Sequence, residues 1–222
     1  MELLDFARGP ALAFAVSVFS LGVAWRLFGL LRYRRAAGAS QPRRRGLAVL
    51  SSTLAHLWPR TTFARAVRAS SVNAFAWHAA LAVVVLGFAP HIAFVRHLAG
   101  VEWPAAPGWA FGVAVAVALF GLIFALMMRL ASPVTRLLSS FDDYASWTVT
   151  ILPFATGMAA IYLPLDAQYP WQPDHPAAVA IHLLSAELLL AWLPFGKLAH
   201  FFLAFVSRAA TASAFARKAA AL

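Results

Sequence analysis

The feature that most limits what this chain can fold into is a recurring stretch of uncharged apolar residues, clearest from Trp109 to Met128 (WAFGVAVAVALFGLIFALMM). A helix of roughly 20 residues crosses a hydrocarbon core of about 30 Å, and in that medium the backbone has to satisfy its own polar groups. Long helices are therefore expected wherever such runs recur. With 62% hydrophobic residues, 12% charged residues and a mean hydropathy of +0.75, the chain lies outside the range of soluble domains. The pattern predicts an all-α fold, an integral membrane five-helix bundle with spans at about 9–31, 72–98, 109–130, 144–163 and 177–206.

Charge orients these spans. Residues 32–71 hold nine arginines, including Arg32, Arg34, Arg35 and the run Arg43-Arg44-Arg45, and read as a basic cytoplasmic loop. Arg26 is close enough to the inner end of the first span to snorkel towards water. This places the amino terminus outside and the carboxyl terminus, with Arg208, Arg217 and Lys218, in the cytoplasm. The start Met1-Glu2-Leu3-Leu4-Asp5 has no basic leader segment, so the first span is expected to be retained. The net charge of +10 points to anionic lipid and not to nucleic acid, because the arginines flank apolar spans. Within the loop, His56 to Ser71 mixes apolar and basic residues, as in an amphipathic surface helix or a partner-docking segment. Asp142 is placed to cap the fourth span. The absence of cysteine excludes disulfides, thiol catalysis and iron–sulfur clusters held by this chain.

Histidines carry the chemical signal. His182 and His200 sit eighteen residues apart in one apolar run. On an unbroken helix that is five full turns, so both imidazoles leave one face, about 27 Å apart. Span two holds a second pair, His78 near its inner end and His91 near its outer end, just after Pro90. On antiparallel spans His78 and His200 share the inner level, while His91 and His182 share the outer level. Two imidazoles at each of two depths are what bis-histidine ligation of two haem groups needs. The thirteen residues from His78 to His91 turn a regular helix by about 220°, so the outer pair requires a kink or rewinding near Pro90, or His97 as the outer ligand instead.

The two histidine pairs, the Pro194-Phe195-Gly196-Lys197-Leu198-Ala199-His200 run and the five-span order resemble the gamma subunit of respiratory nitrate reductase. They also resemble the cytochrome b subunits of sulfite-reduction-linked and heterodisulfide-reductase-like membrane complexes. The resemblance extends from Ser71 to Arg208. It implies a cytochrome b with two haem b groups, or one, in a bacterial inner membrane, exchanging electrons between quinone as substrate and a cytoplasmic iron–sulfur subunit of a respiratory oxidoreductase. His78 and His200 would then hold the inner haem iron, and His91 and His182 the outer one. The spacing in span two is about one turn longer than in the nitrate reductase subunits.

Other side chains have two readings each. Lys197, Arg129 and Arg136 are candidates for haem propionates, and equally are the basic residues expected at inner helix ends. Glu187, inside span five, either serves a quinone or proton site or is a hydrogen-bonded packing residue. Arg96, His97 and Glu102 stand where an outer quinone or proton site would open, or are ordinary loop residues. Two other functions fit the same composition: a haem-free membrane anchor of an enzyme complex, and a small proton-coupled transporter.

Overall fold

The computed structural model describes residues 2–36, 61–162 and 176–204, and their regular structure is entirely helical. Leu3–Phe6, the π-helical Ala7–Ala11 and Leu12–Ala36 follow one another without interruption and together form α1. The π-helical stretch contains Pro10, whose missing N–H and ring cannot be accommodated by regular α geometry. The remaining helices are α2 (Thr61–Gly87), α3 (Ala89–Ala99), α4 (Gly108–Ala131), the short α5 (Pro133–Leu137), α6 (Phe141–Tyr162) and α7 (Pro176–Trp192). A 3₁₀ turn, Lys197–Ala199, leads into a helical end that runs to Ala204.

Four helical segments are long and apolar enough to cross a membrane: Leu3–Arg32, Arg68–Gly87, Gly108–Ala131 and Phe141–Tyr162. A fifth is reached by counting α7 with Lys197–Ala204, although the two are bent by 79°. Among the described residues the fold is all-helical, and it is compatible with a multi-pass membrane bundle.

The structure bears on three sequence expectations here. The last span is not one straight helix, because α7 stops at Trp192 and the chain turns before His200, so five unbroken turns do not connect His182 to His200. Span two is also broken: Phe88 is extended (φ −82°, ψ 124°) between α2 and α3. Finally, the described part of the His56–Ser71 segment, from Thr61, runs without a break into span two as the first turns of α2. Residues 37–60, which carry His56 and most of the basic loop, lie outside the described residues, as do 163–175 and the tail from 205.

The chain divides into two compact units, one comprising Pro59–Ser139 and the other Met1–Trp58 with Ser140–Leu222. In the first of these, α2 packs on α4 through small residues. Ala114, Val115, Ala118, Gly121 and Leu122 form the buried stripe of α4, while Val113, Val117, Phe120, Ile123 and Met127 form an exposed apolar stripe. Lipid rewards no burial of apolar surface between helices, so close backbone approach and interhelical hydrogen bonds hold such pairs together. Gly121 provides both. A β-carbon there would come within 2.6 Å of Trp77 Cβ, and the Gly121 carbonyl accepts a bond of 2.9 Å from Asn73 Nδ2.

In the other unit, α7 packs against both α6 and α1. The turn after α7 inserts the fully buried Pro194 against Gly22 of α1. Phe19 and Phe202 meet edge to face, with ring centroids 6.5 Å apart.

The Gly121 contact has a measurable consequence. Gly121→Leu overpacks the α2–α4 seam and is expected to cost about 1–3 kcal/mol, read as a lowered midpoint of SDS-induced unfolding in mixed micelles.

Candidate functional site

Both helix breaks leave backbone carbonyls to be satisfied, and at the α2–α3 break the histidine takes part. Pro90 has no N–H to offer Leu86, and the indole Nε1 of Trp103 donates to the Leu86 carbonyl instead, at 2.6 Å. The Ala106 N–H donates to the Gly87 carbonyl at 2.8 Å. His91 reaches back across the break, its Nδ1 bonding the Val84 carbonyl at 3.0 Å. The ring is partly buried and meets Phe88 edge to face, with centroids 5.2 Å apart, and Phe88 in turn stacks on Phe111 of α4 at 4.2 Å.

The break after α7 is held by charged side chains of α1 and α6. Arg26 donates from Nε to the Pro194 carbonyl at 2.9 Å and from Nη2 to the Phe195 carbonyl at 2.7 Å. Arg26 thus clamps this turn. Asp142 accepts the Lys197 N–H at 3.0 Å through Oδ2 and the Ser146 hydroxyl at 3.1 Å through Oδ1. Ser146 in turn accepts the indole N–H of Trp192 at 3.0 Å. The helix cap expected from Asp142 is made by its neighbour: Asp143, three residues after Ser140, accepts the Ser140 N–H at 2.9 Å, the acidic half of a capping box. The buried Asp143 carboxylate also pairs with the Lys197 ammonium at 2.5 Å. His200 follows this turn, exposed, with Nδ1 bonded to the Lys197 carbonyl at 2.9 Å.

His182 lies on α7 where it meets α6. A β-carbon on Gly157 would fall 3.0 Å from its Cε1 and 3.1 Å from its Nδ1, so a larger residue at 157 would require the imidazole to move by a few tenths of an ångström. Thr156 Oγ1 is 3.4 Å from His182 Nδ1 and 2.8 Å from Ser185 Oγ, and Ser185 bonds the His182 carbonyl at 2.7 Å. His78, on the exposed part of α2, bonds the Ala74 carbonyl through Nδ1 at 2.6 Å and stacks on Trp77.

One property is common to all four imidazoles. A carbonyl oxygen only accepts, so in His78, His91 and His200 the proton sits on Nδ1 and the lone pair on Nε2. His182 also directs Nδ1 to an oxygen. Histidines that bind metal through Nε2 are held in this way, the other ring nitrogen donating to a carbonyl or another oxygen acceptor. The donor chemistry therefore fits an iron porphyrin taking Nε2 ligands. His78 and His91 belong to one compact unit, and His182 and His200 to the other.

The remaining candidates fall at helix ends or within α7. Arg129 bonds Ser139 Oγ at 2.8 Å, and its carbonyl accepts from Thr135, closing the turn between α4 and α5. Arg136 is exposed on α5. Arg96 pairs with Glu102 at 3.4 Å, with both side chains largely in solvent, and His97 is exposed beside it in the last turn of α3. Glu187 is only 7% exposed. Its Oε2 is buried and has no hydrogen-bond partner among the described residues. Thr156, Ser185 and Asp143 were not singled out in the sequence. The Ser140-x-x-Asp143 spacing was a usable signal for the last of these, whereas nothing local marks Thr156.

The chain is similar to a protein of Nitratidesulfovibrio vulgaris (strain Hildenborough), with 28% identity over 213 residues, covering 91% of this chain and 89% of the relative. No family model matches the chain. No solved structure matches it.

The two partners of the Lys197–Asp143 pair differ in burial, with side-chain exposures of 55% and 3%. Asp143→Ala removes the cap of α6 as well as the ion pair and is expected to destabilise by about 1–3 kcal/mol. Lys197→Ala leaves the buried carboxylate its Ser140 bonds but not the Lys197 cation, and is expected to cost less than Asp143→Ala, about 1–2 kcal/mol. SDS-induced unfolding of the two variants in mixed micelles measures the difference.

Proposed function

We propose that this protein is a haem b-binding membrane subunit that passes electrons between membrane quinone and a cytoplasmic iron–sulfur partner. The observation that carries the reading is that His78, His91, His182 and His200 each direct Nδ1 at an oxygen, which in His78, His91 and His200 is a carbonyl and so leaves the lone pair on Nε2. On the proposed topology, with the amino terminus outside and the carboxyl terminus in the cytoplasm, the order of residues along the chain pairs His78 with His200 and His91 with His182. His78 and His200 would hold an inner haem, and His91 and His182 an outer one.

A haem b iron held by two imidazoles supplies one-electron exchange. The chain's part is to fix imidazole orientation, exclude water and handle protons at the quinone. The turn clamped by Arg26, Asp142 and Asp143 sets the direction in which His200 leaves α7. Gly157 makes room for the His182 ring. Glu187 is the proton-carrying candidate within the membrane, since a carboxyl oxygen buried there without a partner has a hydrogen-bonding site to offer a quinone. Arg96, His97 and Glu102 form a solvent-facing polar group at the end of α3, suited to exchanging protons with water.

The test is a reduced-minus-oxidised spectrum with haem quantification on the full chain, in wild type and in His182→Ala and His200→Ala variants. Two haems in wild type, with one lost in each variant, are expected. A folded, haem-replete preparation without a cytochrome spectrum sinks the reading and leaves the haem-free anchor or the transporter.

A further inference from the structure

The four imidazoles differ in what receives the Nδ1 proton. For His78, His91 and His200 the acceptor is a backbone carbonyl, at Ala74, Val84 and Lys197, which side-chain substitution at those positions leaves in place. For His182 it is a hydroxyl contributed by the neighbouring helix α6, that of Thr156.

The direction of that bond follows from counting protons. Thr156 Oγ1 lies 2.8 Å from the Leu152 carbonyl and 2.8 Å from Ser185 Oγ, and Ser185 Oγ lies 2.7 Å from the His182 carbonyl. Three short oxygen–oxygen contacts compete for two hydroxyl protons, and the carbonyls contribute none. Neither proton is left for the longer contact of 3.4 Å to the imidazole. Nδ1 of His182 is then the donor, Thr156 the acceptor, and Nε2 the lone-pair nitrogen, as in the other three. Ser185 locks the arrangement by occupying the second side of the Thr156 hydroxyl.

We infer that Thr156 is a positioning residue for His182, fixing its tautomer and tuning the iron it ligates; this rests on the haem reading above. Donation of the Nδ1 proton to an oxygen makes the imidazole a stronger electron donor at Nε2, which favours ferric over ferrous iron. Removing the acceptor weakens that donation and raises the midpoint potential of the His182 haem alone. The inner haem does not respond, because its imidazoles bond carbonyls.

The experiment is an optical redox titration, with haem quantified, of the full chain in membranes as wild type, Thr156→Val and Thr156→Ser. Expected is a more positive midpoint for one of two haems in Thr156→Val and a wild-type titration in Thr156→Ser. Loss of one haem in Thr156→Val that Thr156→Ser restores supports the same assignment. A Thr156→Val chain with full haem content that titrates as wild type overturns it. So does equal haem loss in both variants, which marks a packing role. A wild-type chain without haem overturns the haem reading and this assignment together, so the two failures are told apart by the wild-type sample.

Discussion

A carbonyl oxygen released from a helix inside an apolar medium costs several kcal/mol unless another donor reaches it. Among the described residues, the breaks after Gly87 and after Trp192 are both met by such donors, which come from far along the sequence. Leu86 is answered by the Trp103 indole, Gly87 by the Ala106 N–H, and Pro194 and Phe195 by the Arg26 guanidinium. The breaks are therefore specified structure, each with its own bonding partner.

This constraint also shapes the histidines. His91 and His200 lie beside the two breaks, and both turn Nδ1 back onto a carbonyl of the same stretch of chain. In each case one nitrogen of the ring stabilises irregular backbone. His182 lies within the regular part of α7, and its oxygen partner comes from α6. The polar groups beside the proposed ligands consequently differ in origin, being backbone at the breaks and side chain within α7.

The parts of this architecture that were legible in the sequence are those governed by local patterns. Span three was expected at 109–130 and α4 runs Gly108–Ala131, because a long uncharged run flanked by Pro107 and Arg129 permits little else. The interruption near Pro90 was legible because a missing N–H is a local fact. The bend after Trp192 was overlooked although Pro194 and Gly196 stand in the sequence, since the surrounding residues remain apolar and periodicity continues through them. Its clamp was not legible at all: Arg26 lies 168 residues from Pro194, and Asp142 lies 55 from Lys197. The histidines were found by residue type and spacing, but the state of their rings depends on carbonyl and hydroxyl positions that only the fold supplies.

The repair of the α2–α3 break has a mechanical side. Trp103 and Ala106, which hold the Leu86 and Gly87 carbonyls, stand in the few residues immediately before α4 begins at Gly108. His91 is tied to Val84 seven residues earlier and rests on Phe88, which stacks on Phe111 in the first turn of α4. The start of α4 and the imidazole are thus coupled like two ends of a short strut. A sliding of α4 along its own axis is delivered to the His91 ring as a displacement, without passing through the length of either helix.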